Sequence, residues 1–143
     1  MPTSSASATW DGTLKEGKGR FTAGSGAFQG TYSFGSRFEG SGGTNPEELI
    51  AAAHAACFSM ALSAALERQG KPAKSISTNA SCTLEMVEGS PKITKMKLEV
   101  RGDVPGISQE EFLRAAEGAR DNCPVSKALK GNLTVELEAR LES

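Results

Sequence analysis

The chain has 143 residues, 38% of them hydrophobic and 23% charged, with 16 glycines. That is the size and composition of a single ordinary globular domain spanning 1–143, large enough to bury a core without disulfide or metal staples. Sixteen basic and 17 acidic side chains leave a formal charge of −1, dispersed along the chain, which argues against nucleic acid or an anionic membrane surface as principal partner.

The opening MPTSSASATW lacks the basic start and apolar stretch of a secretory leader. The longest mostly apolar run, Leu49 to Leu62, is interrupted by His54 and Ser59 and is short for a bilayer span, so a soluble cytoplasmic protein is expected. In that reducing compartment three cysteines read as chemistry or core filler rather than as a permanent framework.

Short alternating stretches with glycine punctuation, ATWDGTLKEGKGRFTAGSGAF, predict antiparallel strands joined by tight turns. The glycine-broken segment TYSFGSRFEGSGGTN then predicts a loop that carries Arg37 and Glu39 into a helix. That helix has a clear start: Thr44 or Asn45 can cap it, Pro46 suits the first helical position, and Glu47 and Glu48 meet the positive end of the dipole. It should run to Gln69, with Gly70 and Pro72 stopping it.

Three later strands alternate. Ile76, Ala80, Cys82, Leu84 and Met86 share one face of the first; Thr94, Met96, Leu98 and Val100 share one of the second; Leu133, Val135, Leu137, Ala139 and Leu141 share one of the third. Between the second and third lies SQEEFLRAAEGARDN, with capping-box spacing at Ser108 and Glu111 and a helical stripe at Phe112, Ala115, Ala116 and Ala119. The order of elements is that of an α+β fold. From Ile50 to Leu66 nearly every position of the long helix is small or apolar, so it should be buried on most sides. A monomer of this size has difficulty covering such a helix, which predicts that two copies pack together in a homodimer.

The cysteines separate by position. Cys82, on an apolar strand face, behaves as a small hydrophobe. Cys57 lies deep in the long helix, where the dipole cannot lower its pKa, so a thiolate there needs a cation from elsewhere. Cys123 opens CPVSKAL, with Pro124 as a first helical residue, a position that favours a thiolate. His54, three residues before Cys57, is either a packed histidine or a base for that thiol. The cysteines lack a C-x-x-C pair, and no metal is expected.

The blocks SRFEGSGGTNPEELIAAAHAACFSMAL (36–62) and CPVSKAL (123–129) together resemble the OsmC/Ohr family of thiol peroxidases, more closely its osmotically inducible OsmC branch. The resemblance covers essentially the whole chain. It implies an OsmC-like fold of antiparallel sheets around a long buried central helix, in an intertwined homodimer with active sites at the subunit interface. It also implies that Cys57 is the peroxidatic cysteine, Cys123 the resolving one, and Arg37 and Glu47 their polar partners. The hydroperoxide resistance branch takes its arginine from nearer the N-terminus; the early WDG stretch carries none here, so Arg37 must fill that role. Organic hydroperoxides would be the substrates, with hydrogen peroxide used less well. No cofactor is implied, the electrons coming from an external dithiol or a lipoylated protein.

Ten residues of helix separate Glu47 from Cys57 by about 15 Å, beyond side-chain reach. If both serve one site, Glu47 of one chain joins Cys57 of the other. Two rival classes remain open at this point: a thiol hydrolase using Cys57 and His54, and a non-catalytic stress protein binding apolar ligands in a pocket for which Phe34, Phe38, Phe58 and Met60 are candidate linings.

Overall fold

The computed structural model describes residues 2–142, and the chain groups into two compact units that divide between Leu49 and Ile50. The first unit holds strands β1 (Ala6–Asp11), β2 (Lys18–Ala23) and β3 (Gln29–Tyr32), paired antiparallel in that order. Gly19 stands between Trp10 and Tyr32 in the register. A Cβ at Gly19 would lie 2.5 Å from the Tyr32 ring, so glycine lets the two rings close over the strand with centroids 5.5 Å apart.

A short helix α1 (Phe34–Phe38) follows, where the sequence predicts a loop. Ser33 caps it, accepting from the Ser36 amide while the Ser36 hydroxyl accepts from the Ser33 amide. This is a capping box built with serine at its third helical position instead of glutamate or glutamine, which hides it from the usual pattern. Helix α2 (Pro46–Arg68) starts as expected, the Asn45 side chain accepting from the Glu48 amide at 2.8 Å.

The second unit contains the body of α2, the long strands β4 (Ser75–Val87) and β5 (Ser90–Asp103), helices α3 (Gln109–Asn122) and α4 (Pro124–Leu129), and strand β6 (Thr134–Leu141). The C-terminal end of α2 is a Schellman motif. Gly70 adopts φ 73°, its amide bonds to Glu67 and the Lys71 amide to Leu66. β4 and β5 pair antiparallel across a two-residue turn, Glu88-Gly89, in which both residues have positive φ.

β6 pairs with β5 in parallel, so the second sheet, ordered β4-β5-β6, is mixed rather than antiparallel as expected. The cause is the crossover through α3 and α4. A helical connection of this length returns the chain to the end at which β5 began, and parallel neighbours require such a return.

One face of the second sheet carries the core. Met96, Leu98 and Val100 alternate along β5 and meet Phe58, Leu62 and Leu66 of α2 and the Phe112, Ala115, Ala116 and Ala119 stripe of α3. Gly102 continues the β5 face, and a Cβ there would lie 2.6 Å from the Phe112 ring, so only glycine seats α3 at this depth. Phe58, Leu62 and Leu66 are fully buried, each contributing about 1.5–3 kcal/mol. Cys82 is half-buried against this core.

α2 is long and apolar enough to cross a membrane by length and composition, more than the run from Leu49 to Leu62 indicated. Within one chain it is buried on one stripe, His54, Phe58, Leu62 and Leu66, rather than on most sides. Ala52, Ala53, Ala56, Met60 and Ser63 are exposed, Met60 by 76%.

Candidate active site

In the first unit the guanidinium of Arg37 grips Glu47 with both arms. Nε donates to Oε1 at 3.3 Å and Nη2 to Oε2 at 2.9 Å. α1 supplies the arginine from its last turn and the first turn of α2 supplies the carboxylate. The Asn45 amide ties the two elements together by donating to the Ser36 carbonyl at 3.1 Å. The Glu47 side chain is 7% exposed and that of Arg37 36%, so a buried carboxylate fixes a guanidinium whose outer edge stays open. Glu48 takes a different partner, the Thr44 hydroxyl. Of the two carboxylates in PEEL, Glu47 is therefore the one that Arg37 holds.

Beside the pair, Trp10, Leu14, Tyr32, Phe34, Arg37 and Phe38 line a mainly apolar cavity of about 270 Å³. Phe34 and Phe38 pack with ring centroids 5.0 Å apart. Phe58 and Met60, the other pocket candidates, do not line it: Phe58 is core and Met60 points outward from the second unit.

In the second unit the fold brings Cys57 of α2 to Cys123, their sulfurs 2.9 Å apart across 66 residues of sequence. Cys123 is the residue between α3 and α4, capping the first with its amide and opening the second ahead of Pro124. It is fully buried, whereas Cys57 is partly exposed. Burial pushes the Cys57 thiol up, and its hydrogen bond to Cys123 adds to this, against a smaller opposite pull from the Val125 amide. Burial also raises Cys123, while its polar neighbours, Cys57 first and then Ser126 and Val125, act the other way, and the net direction is down. The Cys123 side chain makes no cap hydrogen bond to α4. Held up by its burial, the Cys57 thiol needs positive charge from outside this group to ionise.

His54 is fully buried and does not serve Cys57. Its Nε2 meets the Ser126 hydroxyl at 2.7 Å, 72 residues away in sequence, and Nδ1 has no partner. Burial lowers its pKa, so the ring is neutral. Ser126 is the site residue that sequence reasoning missed. The signal available was its place in CPVS, three residues after Cys123, on the first turn of a helix. Among the described residues no group of three or more His, Cys, Asp or Glu side chains could hold a metal ion.

A family model described as OsmC-like protein matches residues 38–138. The chain is 46% identical over 134 residues to Peroxiredoxin OsmC of Escherichia coli (strain K12), covering 93% of this chain and 94% of that protein. It is 36% identical over 99 residues to an Organic hydroperoxide resistance protein of Xanthomonas axonopodis pv. citri, 68% of each chain. Its backbone superposes on a crystal structure of an organic hydroperoxide resistance protein from Elizabethkingia anophelis with a TM-score of 0.80 at 26% identity, covering 99% of this chain and 98% of that one.

Proposed function

The chain belongs to the OsmC-like protein family, and on that premise we propose that it reduces organic hydroperoxides to alcohols through Cys57 and Cys123. Membership at 46% identity to a peroxiredoxin makes it a thiol peroxidase. The observation that carries the finer reading is the meeting of one accessible and one buried sulfur at 2.9 Å.

The Cys57 thiolate attacks the distal oxygen of the hydroperoxide. The O–O bond breaks, the alkoxide takes a proton and leaves as the alcohol, and Cys57 becomes a sulfenic acid. The Cys123 thiolate then attacks the Cys57 sulfur, forming the disulfide and releasing hydroxide, which is protonated to water. An external dithiol or a lipoylated protein returns both sulfurs to thiols, its own pair being oxidised. A cytoplasmic location suits a thiol pair that must be regenerated in every cycle.

Arg37, oriented by Glu47, supplies the positive charge that Cys57 lacks within its own unit. The unbroken helix from Pro46 to Arg68 keeps Glu47 and Cys57 ten residues apart, which supports a composite site with Glu47 of one chain serving Cys57 of the other. The exposed stripe through Ala52, Ala56 and Met60 supports the homodimer that this requires. The aromatic cavity beside Arg37 favours hydroperoxides with an apolar body over hydrogen peroxide. A Cys57 hydrolase has no such support, because the imidazole is committed to Ser126.

Non-reducing peptide mapping after one equivalent of cumene hydroperoxide, beside a matched hydrogen peroxide sample, tests the proposal. A Cys57–Cys123 disulfide formed faster with the organic peroxide supports it. Thiols that stay reduced, or oxidise without partner choice, reject it.

A further inference from the structure

We propose that the buried His54–Ser126 pair is a strut: it ties α4 to α2 about one turn from the two sulfurs and keeps Cys123 facing Cys57 while Cys57 carries a sulfenic oxygen. His54 stands three residues before Cys57 on α2, and Ser126 three residues after Cys123 at the start of α4. Two rungs therefore link the same two segments, Nε2 to the Ser126 hydroxyl at 2.7 Å and sulfur to sulfur at 2.9 Å. The sulfur rung is consumed by the reaction. Its hydrogen comes from the Cys123 thiol, which must ionise to attack, and its acceptor gains an oxygen. The other rung takes no part in the chemistry and persists through the cycle.

α4 depends on that tie. It has six residues, about half the length at which a helix holds by itself in water, and no side-chain cap. Among the described residues Ser126 is the one side chain of α4 that hydrogen-bonds to another element. Val125 and Leu129 pack against the core, but apolar contact is non-directional, whereas a hydrogen bond fixes both distance and angle. Stability does not account for the pair. His54 and Ser126 are buried, at 0% and 6% exposure, and Nδ1 has no partner. An apolar side chain at position 54 would continue the stripe of Phe58, Leu62 and Leu66 with no ring nitrogen left unmet. What the polar pair adds is the placement of α4.

The strut rests on the peroxidase reading, in which a sulfenic acid on Cys57 has two fates. Cys123 attacks its sulfur to give the disulfide and water, or a second hydroperoxide oxidises it to the sulfinic acid and leaves as the alcohol. Alignment of Cys123 decides between them, which makes His54 a positioning residue for the resolving step alone. Quenched samples of full-length C82A protein, with dimedone trapping the sulfenic acid, separate the steps by mass spectrometry. In S126A and H54L the first oxidation of Cys57 should stay within about twofold, while conversion to the disulfide slows about tenfold, as loss of one buried hydrogen bond implies, and sulfinic acid accumulates. The double variant should be no slower than either single one. H54Q carries its amide nitrogen about as far out as Nε2 and should restore the resolving step; H54N, one methylene shorter, should not. H54M is a second apolar replacement if H54L does not fold. Equal slowing of both steps, additive effects, or H54N matching H54Q would overturn the strut.

A second arm needs no peroxide. In a buffer of reduced and oxidised glutathione the C82A protein settles at its own ratio of dithiol to Cys57–Cys123 disulfide, and S126A and H54L should shift that ratio about tenfold toward the dithiol while H54Q leaves it in place. A ratio unmoved by the apolar variants overturns the inference. A disulfide that responds to the strut in this buffer but never forms with hydroperoxide would reject the peroxidase reading and leave the strut standing.

Discussion

Replacing Arg37 should cost more stability than replacing Glu47, although the two share one ion pair. Two unit charges about 4 Å apart at an effective dielectric of about 20 attract by roughly 4 kcal/mol. Arg37 is 36% exposed, and solvent screening brings the net contribution to about 2 kcal/mol. The two truncations differ in what they leave behind. R37M strands a carboxylate that is 7% exposed, the costly outcome, and should lose about 3 kcal/mol. E47Q leaves a guanidinium that can turn to water and still hydrogen-bond the amide, and should lose about 1–2 kcal/mol. With a urea dependence of about 2 kcal/mol per M, the midpoints should fall by about 1.5 M and 0.75 M, read at one fixed chain concentration because a dimer's stability depends on it. The double variant R37M/E47Q should recover part of the R37M loss. An E47Q loss equal to or greater than that of R37M, or a double variant no better than R37M, would refute the assignment of Glu47 as the buried partner.

Three further outcomes are expected. His54 is the one histidine of the chain, and its pKa lies below 6.5 in the fold and at its ordinary value when unfolded. The unfolded state therefore binds the proton first, and stability present above 6.5 should fall as pH drops below it, by at most about 1.4 kcal/mol per pH unit. Urea midpoints measured between about pH 5 and 7 should show this slope, and H54Q should remove it. Glu88 occupies φ 52° at the first turn position of the β4–β5 hairpin, where asparagine is better tolerated, so E88N should stabilise the fold by about 0.5–1 kcal/mol in thermal unfolding; a loss would show that this turn is not strained at Glu88. M60K, on the exposed stripe of α2, should leave helix content unchanged while shifting sedimentation from dimer to monomer, and an unshifted species would remove α2 from the subunit contact.

Much of the molecule is local enough to be legible in one dimension. The start of α2 at Pro46, the Phe112 stripe of α3 and the position of Cys123 ahead of Pro124 are all set by residues within a few positions of one another, because caps, prolines and helical periodicity act over a single turn. α1 escaped for an equally local reason: its capping box uses Ser36 where a longer acceptor is usual, and the glycines around it read as a loop. The motif blocks containing Cys57, Cys123, Arg37 and Glu47 identify the family, since the residue types that its chemistry requires stand together in continuous segments.

Tertiary structure decided what depends on distance through space. The direction of β6 follows from the path of the chain through α3 and α4, and an alternating strand pattern is the same whichever way the strand runs. The choice of Glu47 over Glu48 turns on which carboxylate faces α1, one residue being about 100° around the helix from the next. Spacing leaves His54 open between a packed ring and a base for the cysteine one turn away; in the fold it is packed, its ring reaching Ser126, 72 residues on. Sequence spacing fixes which face of a helix a side chain occupies, whereas the atom it meets there is supplied by whatever other element packs against that face.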